Sequence, residues 1–263
     1  MCLTNREASK ELCGRFALTA GPEKLEEFFA LAGVEDFPAR YNIAPTQPIL
    51  LVIAGGGRVS GSNLPDRRAM LARWGLIPGW TRDPNDLPAH FNARSETAAE
   101  KASFKAAMRH RRVLVPASGF YEWRRDASKR SQAFWVRPRH GGIVAFAGLM
   151  ETYAEPGGSE VDTAAILTTA ASSDIAHIHD RMPAVIKSED FEKWLDCRTQ
   201  EPRDVAHLMR APEDGFFEAI PVSDKVNKAA NIGPDLQERA EPETAARAPE
   251  TQKPGQAGQL TLF

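Results

Sequence analysis

Four short segments of the 263-residue chain carry more reactive and shape-determining side chains than a scaffold requires. They are Cys13-Gly14-Arg15-Phe16, Phe91-Asn92-Ala93-Arg94-Ser95-Glu96, Gly119-Phe120-Tyr121-Glu122-Trp123 and His177-Ile178-His179-Asp180-Arg181-Met182-Pro183. A thiol, a carboxylate and an imidazole are the groups of nucleophilic and proton-transfer catalysis. Each also has a plain reading on its own. A lone cysteine is most often a small buried hydrophobe, a Glu beside aromatics can be a surface carboxylate, and a His before Asp-Arg can be a hydrogen-bond hub.

The elements that must position these segments are legible from local pattern. Pro22 with Glu23, Glu26 and Glu27 and the apolar set Leu25, Phe28, Phe29 and Leu31 predicts an amphipathic helix ending at Gly33. Thr97 and Glu100 have capping-box spacing ahead of a helix over 101–111. A short helix follows Ser188, with Phe191, Trp194 and Leu195 inward and acids in its first turn. Strand patterns fall at 49–54, 73–77, 113–117, 132–137, 143–149 and 164–169. Few helices and dispersed strands predict a single α+β domain, built on a largely antiparallel, barrel-like sheet with a few flanking helices.

Composition bounds the partners. With 33 Lys+Arg against 35 Asp+Glu the net charge is −2, which excludes a protein basic over its whole surface. The excess is local: residues 90–140 hold twelve Lys/Arg against four acids, a balance that predicts one cationic groove for a phosphate backbone or, equally, a solvated helix face and basic loop. No apolar run approaches the ~20 residues that cross a bilayer, and residues 1–12 carry charge with no apolar stretch, unlike a secretory signal. Cys2, Cys13 and Cys197 are too few and scattered for a disulfide framework or a zinc cage. A cytoplasmic monomer needing no metal or cofactor is expected.

Taken in order, the four segments resemble the SRAP (SOS response-associated peptidase) family of abasic-site-processing proteins. Further matches are Tyr41-Asn42-Ile43-Ala44-Pro45-Thr46-Gln47, Arg73-Trp74-Gly75-Leu76-Ile77-Pro78, Ala145-Phe146-Ala147-Gly148-Leu149 and Ile166-Leu167-Thr168-Thr169-Ala170, so the resemblance runs from Cys13 to about Ile232. It implies covalent capture of abasic sites in single-stranded DNA during replication. In the family the motif cysteine is the first residue of the mature chain. Its free amine attacks the ring-opened sugar aldehyde, and its thiol closes the imine to a five-membered thiazolidine. An internal cysteine lacks that amine.

Carried over residue by residue, the resemblance makes Cys13 the nucleophile and gives Glu122 and His179 the proton transfers, a carboxyl desolvated between aromatics suiting a general acid. Asn92 orients the terminal residue or the sugar. Arg15, Arg94 and Arg181 hold phosphates. Trp74 and Phe16 offer flat surfaces on which bases stack. Pro45 shapes a turn beside the site, and only His179, not His177, has the family's spacing to Arg-Met-Pro.

The sequence departs from the family in one respect: twelve residues precede Cys13. Three routes free or replace its amine. Translation starts at Leu12 on an alternative start codon and the initiator Met is removed, which is the favoured reading because it gives Met-Cys-Gly-Arg-Phe; residues 1–12 are cleaved off, by the site itself; or Cys2 supplies the aminothiol. Residues 13–233 form the catalytic and DNA-binding domain, and 234–258, rich in Pro, Glu, Ala, Gln and Arg, read as a disordered linker. The final Gln259-Leu260-Thr261-Leu262-Phe263 resembles the peptide by which bacterial repair proteins dock on the β sliding clamp. In it Leu260, Leu262 and Phe263 fill apolar pockets and Gln259 makes polar contacts. The competing functions are a cysteine-type (auto)peptidase and a non-covalent single-strand binding module.

Overall fold

The computed structural model describes residues 14–56, 63, 66–84, 90–125, 131–155 and 157–240. In chain order the elements are β1 (Phe16–Leu18), α1 (Pro22–Phe29), β2 (Arg40–Ile43), β3 (Pro48–Ala54), β4 (Arg67–Trp74), β5 (Asn92–Arg94), α2 (Lys105–His110), β6 (Arg112–Ala117), β7 (Gly119–Arg125), β8 (Ser131–Pro138), β9 (Val144–Ala154), β10 (Glu160–Ala170), α3 (Ser173–Ala176), β11 (Arg181–Pro183), β12 (Val185–Ile186), α4 (Phe191–Leu195), α5 (Pro202–Val205) and β13 (Phe217–Pro221). No helix among the described residues is long and apolar enough to cross a membrane.

The strands form two sheets. One is antiparallel, in the order β13-β8-β7-β1-β2. The other follows β4-β3-β6-β9-β10 and closes on itself where β10 pairs in parallel with β4, at Thr163 with Arg73 and Ala164 with Trp74. Closure removes the free edges that an open sheet leaves to other chains. The α+β barrel expected from the dispersed strands is the architecture observed.

The aromatic core joins the two sheets. Phe16 on β1 lies edge-on to Trp74 at 5.2 Å and to Phe146 at 6.3 Å, and Phe120 on β7 meets Phe146 and Phe217. Gly119 permits the direct passage from β6 into β7, since a Cβ there would stand 2.3 Å from the Val136 carbonyl oxygen. A second, smaller cluster packs on the other face of the first sheet, around Ala17, Tyr121, Trp135, Val222, Val226 and Leu236.

Local pattern located most elements and misplaced several ends. Helix α1 starts at Pro22 as expected but stops at Phe29, four residues before Gly33, because Ala30 takes a left-handed conformation (φ 52°) and its N–H turns back to Glu26 and Glu27. Helix α2 begins at Lys105, not Lys101; residues 95–100 are turns instead of a capped first turn. The strand expected over 73–77 is the end of β4, which stops at Trp74 where Gly75 adopts φ 134°. The boundary expected after 233 falls inside packed structure: Pro234–Gln237 form a 3-10 turn that buries Leu236 in the second cluster. Residues 1–12 and 241–263, with the tail and tip, lie outside the described residues.

Candidate functional site

Strand alternation sorts β7 into two faces. Phe120 joins the main core and Tyr121 the second cluster, so Glu122 lies on the Phe120 face and Trp123 on the other. Glu122 is 2% exposed, and its Oε1 accepts the Trp123 backbone N–H at 3.2 Å. Its cross-strand partner is Phe134, under the Arg124 guanidinium and edge-on to His177. The β1–β7 register pairs Phe16 with Phe120, and the Tyr121 N–H donates to Arg15 O. Cys13 itself lies outside the described residues.

His179 sits on the half-buried loop between α3 and β11. The Arg181 backbone N–H donates to its Nδ1 at 3.0 Å, and the Arg181 carbonyl oxygen lies 3.3 Å from the same nitrogen. The Asp180 carboxylate also comes within 3.2 Å of Nδ1. That carboxylate is 77% exposed.

Asn92 and Arg94 lie on β5, which runs beside the end of β10. Thr168 pairs with Arg94 on one side and Pro183 on the other. Asn92 is half-buried and Arg94 is exposed. Arg181 crosses this end to grip Glu96 with both prongs, NH1 to Oε1 at 2.6 Å and NH2 to Oε2 at 2.9 Å. The bonded guanidinium holds the Glu96 carboxyl below the usual carboxylate range. Asn92, Arg94, Arg181 and the loop bearing His179 therefore gather at one end of β10.

Other expected contacts are not available. Trp74 is 0% exposed, donates its indole N–H to Phe91 O and forms core with Phe16, which is 1% exposed; neither presents a face on which a base can stack. Arg15 turns to the second-cluster side, where NH1 donates to Asn42 Oδ1 and Val226 O. Among the described residues, several cations of the 90–140 run are taken by other partners. Arg112 is buried and bonds only backbone carbonyls, while Arg109, Arg111 and Arg137 pair with Glu201, Glu151 and Glu218. The remaining described Lys and Arg of that run lie on β5 (Arg94), before α2 (Lys101), on α2 (Lys105), at the end of β7 (Arg124 and Arg125) and after β8 (Arg139); Lys129 and Arg130 lie outside the described residues.

One aromatic was missed. Trp80 is 60% exposed on a turn whose flanks are tied down, Ile77 N–H donating to Thr163 Oγ1 and Tyr153 OH to Arg82 O. The readable signal was the Pro78-Gly79 turn, which lifts the next side chain out between polar neighbours.

Fold and site together define a closed α+β barrel with an N-terminal strand laid against a buried strand-borne carboxylate. The sequence pattern of the family described as SOS response associated peptidase (SRAP) matches residues 12–229, and the chain belongs to that family. Among its relatives, abasic site processing protein YoqW of Bacillus subtilis (strain 168) is 33% identical over 228 residues, 86% of this chain and 98% of the relative. Abasic site processing protein YedK of Escherichia coli (strain K12) is 31% identical over 240 residues, again 86% and 98%. A crystal structure of a Bacteroides thetaiotaomicron protein, 24% identical, superposes with a TM-score of 0.71, covering 87% of this chain and all of the other.

Proposed function

We propose that this chain captures abasic sites in single-stranded DNA as a thiazolidine with Cys13. The observation that carries the reading is buried Glu122 on the strand whose Tyr121 N–H donates to Arg15 O, two residues after Cys13 in the sequence. The Cys13 amine adds to the sugar aldehyde, the carbinolamine loses water to give an imine, and the thiol adds across the C=N bond. Glu122 exchanges the protons of the first two steps. His179 donates a proton to a sugar oxygen, and Asn92 orients the sugar from β5. Arg94, exposed at the end of β10, holds phosphates, Arg181 being committed to Glu96, and Trp80, in place of Trp74, supplies the stacking face. The match beginning at residue 12 supports Cys13 as the first residue of the working chain. Intact mass from the native host distinguishes a start at Leu12, removal of 1–12, and use of Cys2.

The test is one denaturing gel of protein with an abasic single-stranded oligonucleotide. A denaturation-resistant adduct is expected, absent after borohydride capping of the aldehyde and absent in Cys13→Ala. Peptide cleavage in trans without DNA, and no adduct, would instead establish the peptidase. The tip Gln259–Phe263 docks on the sliding clamp in this reading. Its deletion abolishes clamp pull-down and leaves the adduct in solution unchanged; retained clamp affinity rejects the tip's role.

A further inference from the structure

A nucleophile at a chain end faces a specific difficulty: termini are the least ordered part of most domains unless tied down. Cross-linking by a terminal amine therefore needs an anchor close behind it. Arg15 stands two residues behind Cys13, and its NH1 donates to Asn42 Oδ1 at 2.8 Å and to Val226 O at 2.7 Å. Asn42 is 4% exposed, and its Nδ2 donates to Asn231 O at 2.8 Å and Lys228 O at 3.1 Å. The turn thus gripped, residues 223–231, is itself closed by Asn231 Nδ2 donating to Lys225 O at 2.7 Å. The same turn reaches β7, where the Trp123 indole N–H donates to Asn227 Oδ1 at 2.8 Å. One C-terminal turn thus holds both the segment just before β1 and the strand that carries Glu122.

We infer that Arg15 and Asn42 are positioning residues, an anchor that fixes the terminal amine relative to Glu122, and that Arg15 is not a phosphate ligand. The inference rests on the function proposed above. Misplacing reacting groups by about 1 Å costs up to ~100-fold in rate, whereas affinity for DNA is set mainly by phosphate contacts. An anchor therefore acts on rate and leaves affinity alone. A phosphate ligand does the reverse.

The experiment compares wild type with Arg15→Gln, Arg15→Lys and Asn42→Ala, each checked for a cooperative thermal transition. Two quantities are read: the cross-linking rate at saturating abasic single strand, and the Kd for the same strand carrying a tetrahydrofuran site, which has no aldehyde. The expected result is cross-linking slowed about ten-fold or more in all three, with Kd within about two-fold of wild type because no phosphate contact is lost. Lysine keeps the charge and loses the fork, so Arg15→Lys separates the two roles if Arg15→Gln fails to fold. Wild-type rates in Asn42→Ala overturn the anchor. So does weaker binding in Arg15→Gln with the salt slope reduced by about one. A wild-type lane without adduct removes the functional reading and the anchor with it.

Discussion

Arg181 and Glu96 form a two-pronged ion pair across the end of β10, at 2.6 and 2.9 Å, joining the turn after β5 to the strand after His179. The Arg181 side chain is 13% exposed while that of Glu96 is 51% exposed, so solvent screens the pair and its contribution stays at about 1 kcal/mol or less. The Glu96 pKa is lowered in the folded protein, chiefly by the hydrogen bond from Arg181. Its contribution to stability is therefore present above the ordinary carboxylate pKa and lost as pH falls through the lowered one. Thermal melts of wild type and Glu96→Gln should differ slightly at neutral pH and converge in acid. A gap that widens in acid would contradict the pairing.

Glu122→Gln keeps size and burial and removes the proton exchange. Cross-linking should slow by about 100-fold or more, with little change in the Kd for tetrahydrofuran-containing strand. Rates equal to wild type across the pH range would leave Glu122 without a chemical role.

Trp80 and Trp74 should respond in opposite ways. Trp80→Ala removes an exposed ring and should weaken single-strand affinity by about 1–3 kcal/mol with the melting temperature unchanged. Trp74→Ala empties a fully buried site at the junction of the two sheets and should lower unfolding free energy by about 3–5 kcal/mol, read from urea midpoints.

Arg112 is a buried cation held by the carbonyls of Met108, Trp194, Asp196 and Gln200, with its guanidinium 5.7 Å from the Trp194 ring centroid. Replacing it by methionine fills part of the space and strands four acceptors, at a cost of about 3–5 kcal/mol. Urea unfolding checks this; a midpoint at the wild-type value would show that water replaces the guanidinium.

The sequence by itself determined the family, the strands flanking Glu122, the short helix of Phe191, Trp194 and Leu195, and the segments in which chemistry resides, because these depend on neighbours a few residues apart. It determined little about facing. Arg15 is separated from Val226 by 211 residues and from Asn42 by 27, and only packing brings those acceptors to its guanidinium. The same holds for Trp74, whose motif suggests a platform until β10 closes the barrel over it. The basic run 90–140 was divided in the same way, since Arg109 on α2, Arg111 just after it and Arg137 on β8 meet different acids, and Arg112 on β6 meets carbonyls alone. Residue type and spacing record what a side chain can do; burial and long-range partners decide whether it is free to do it.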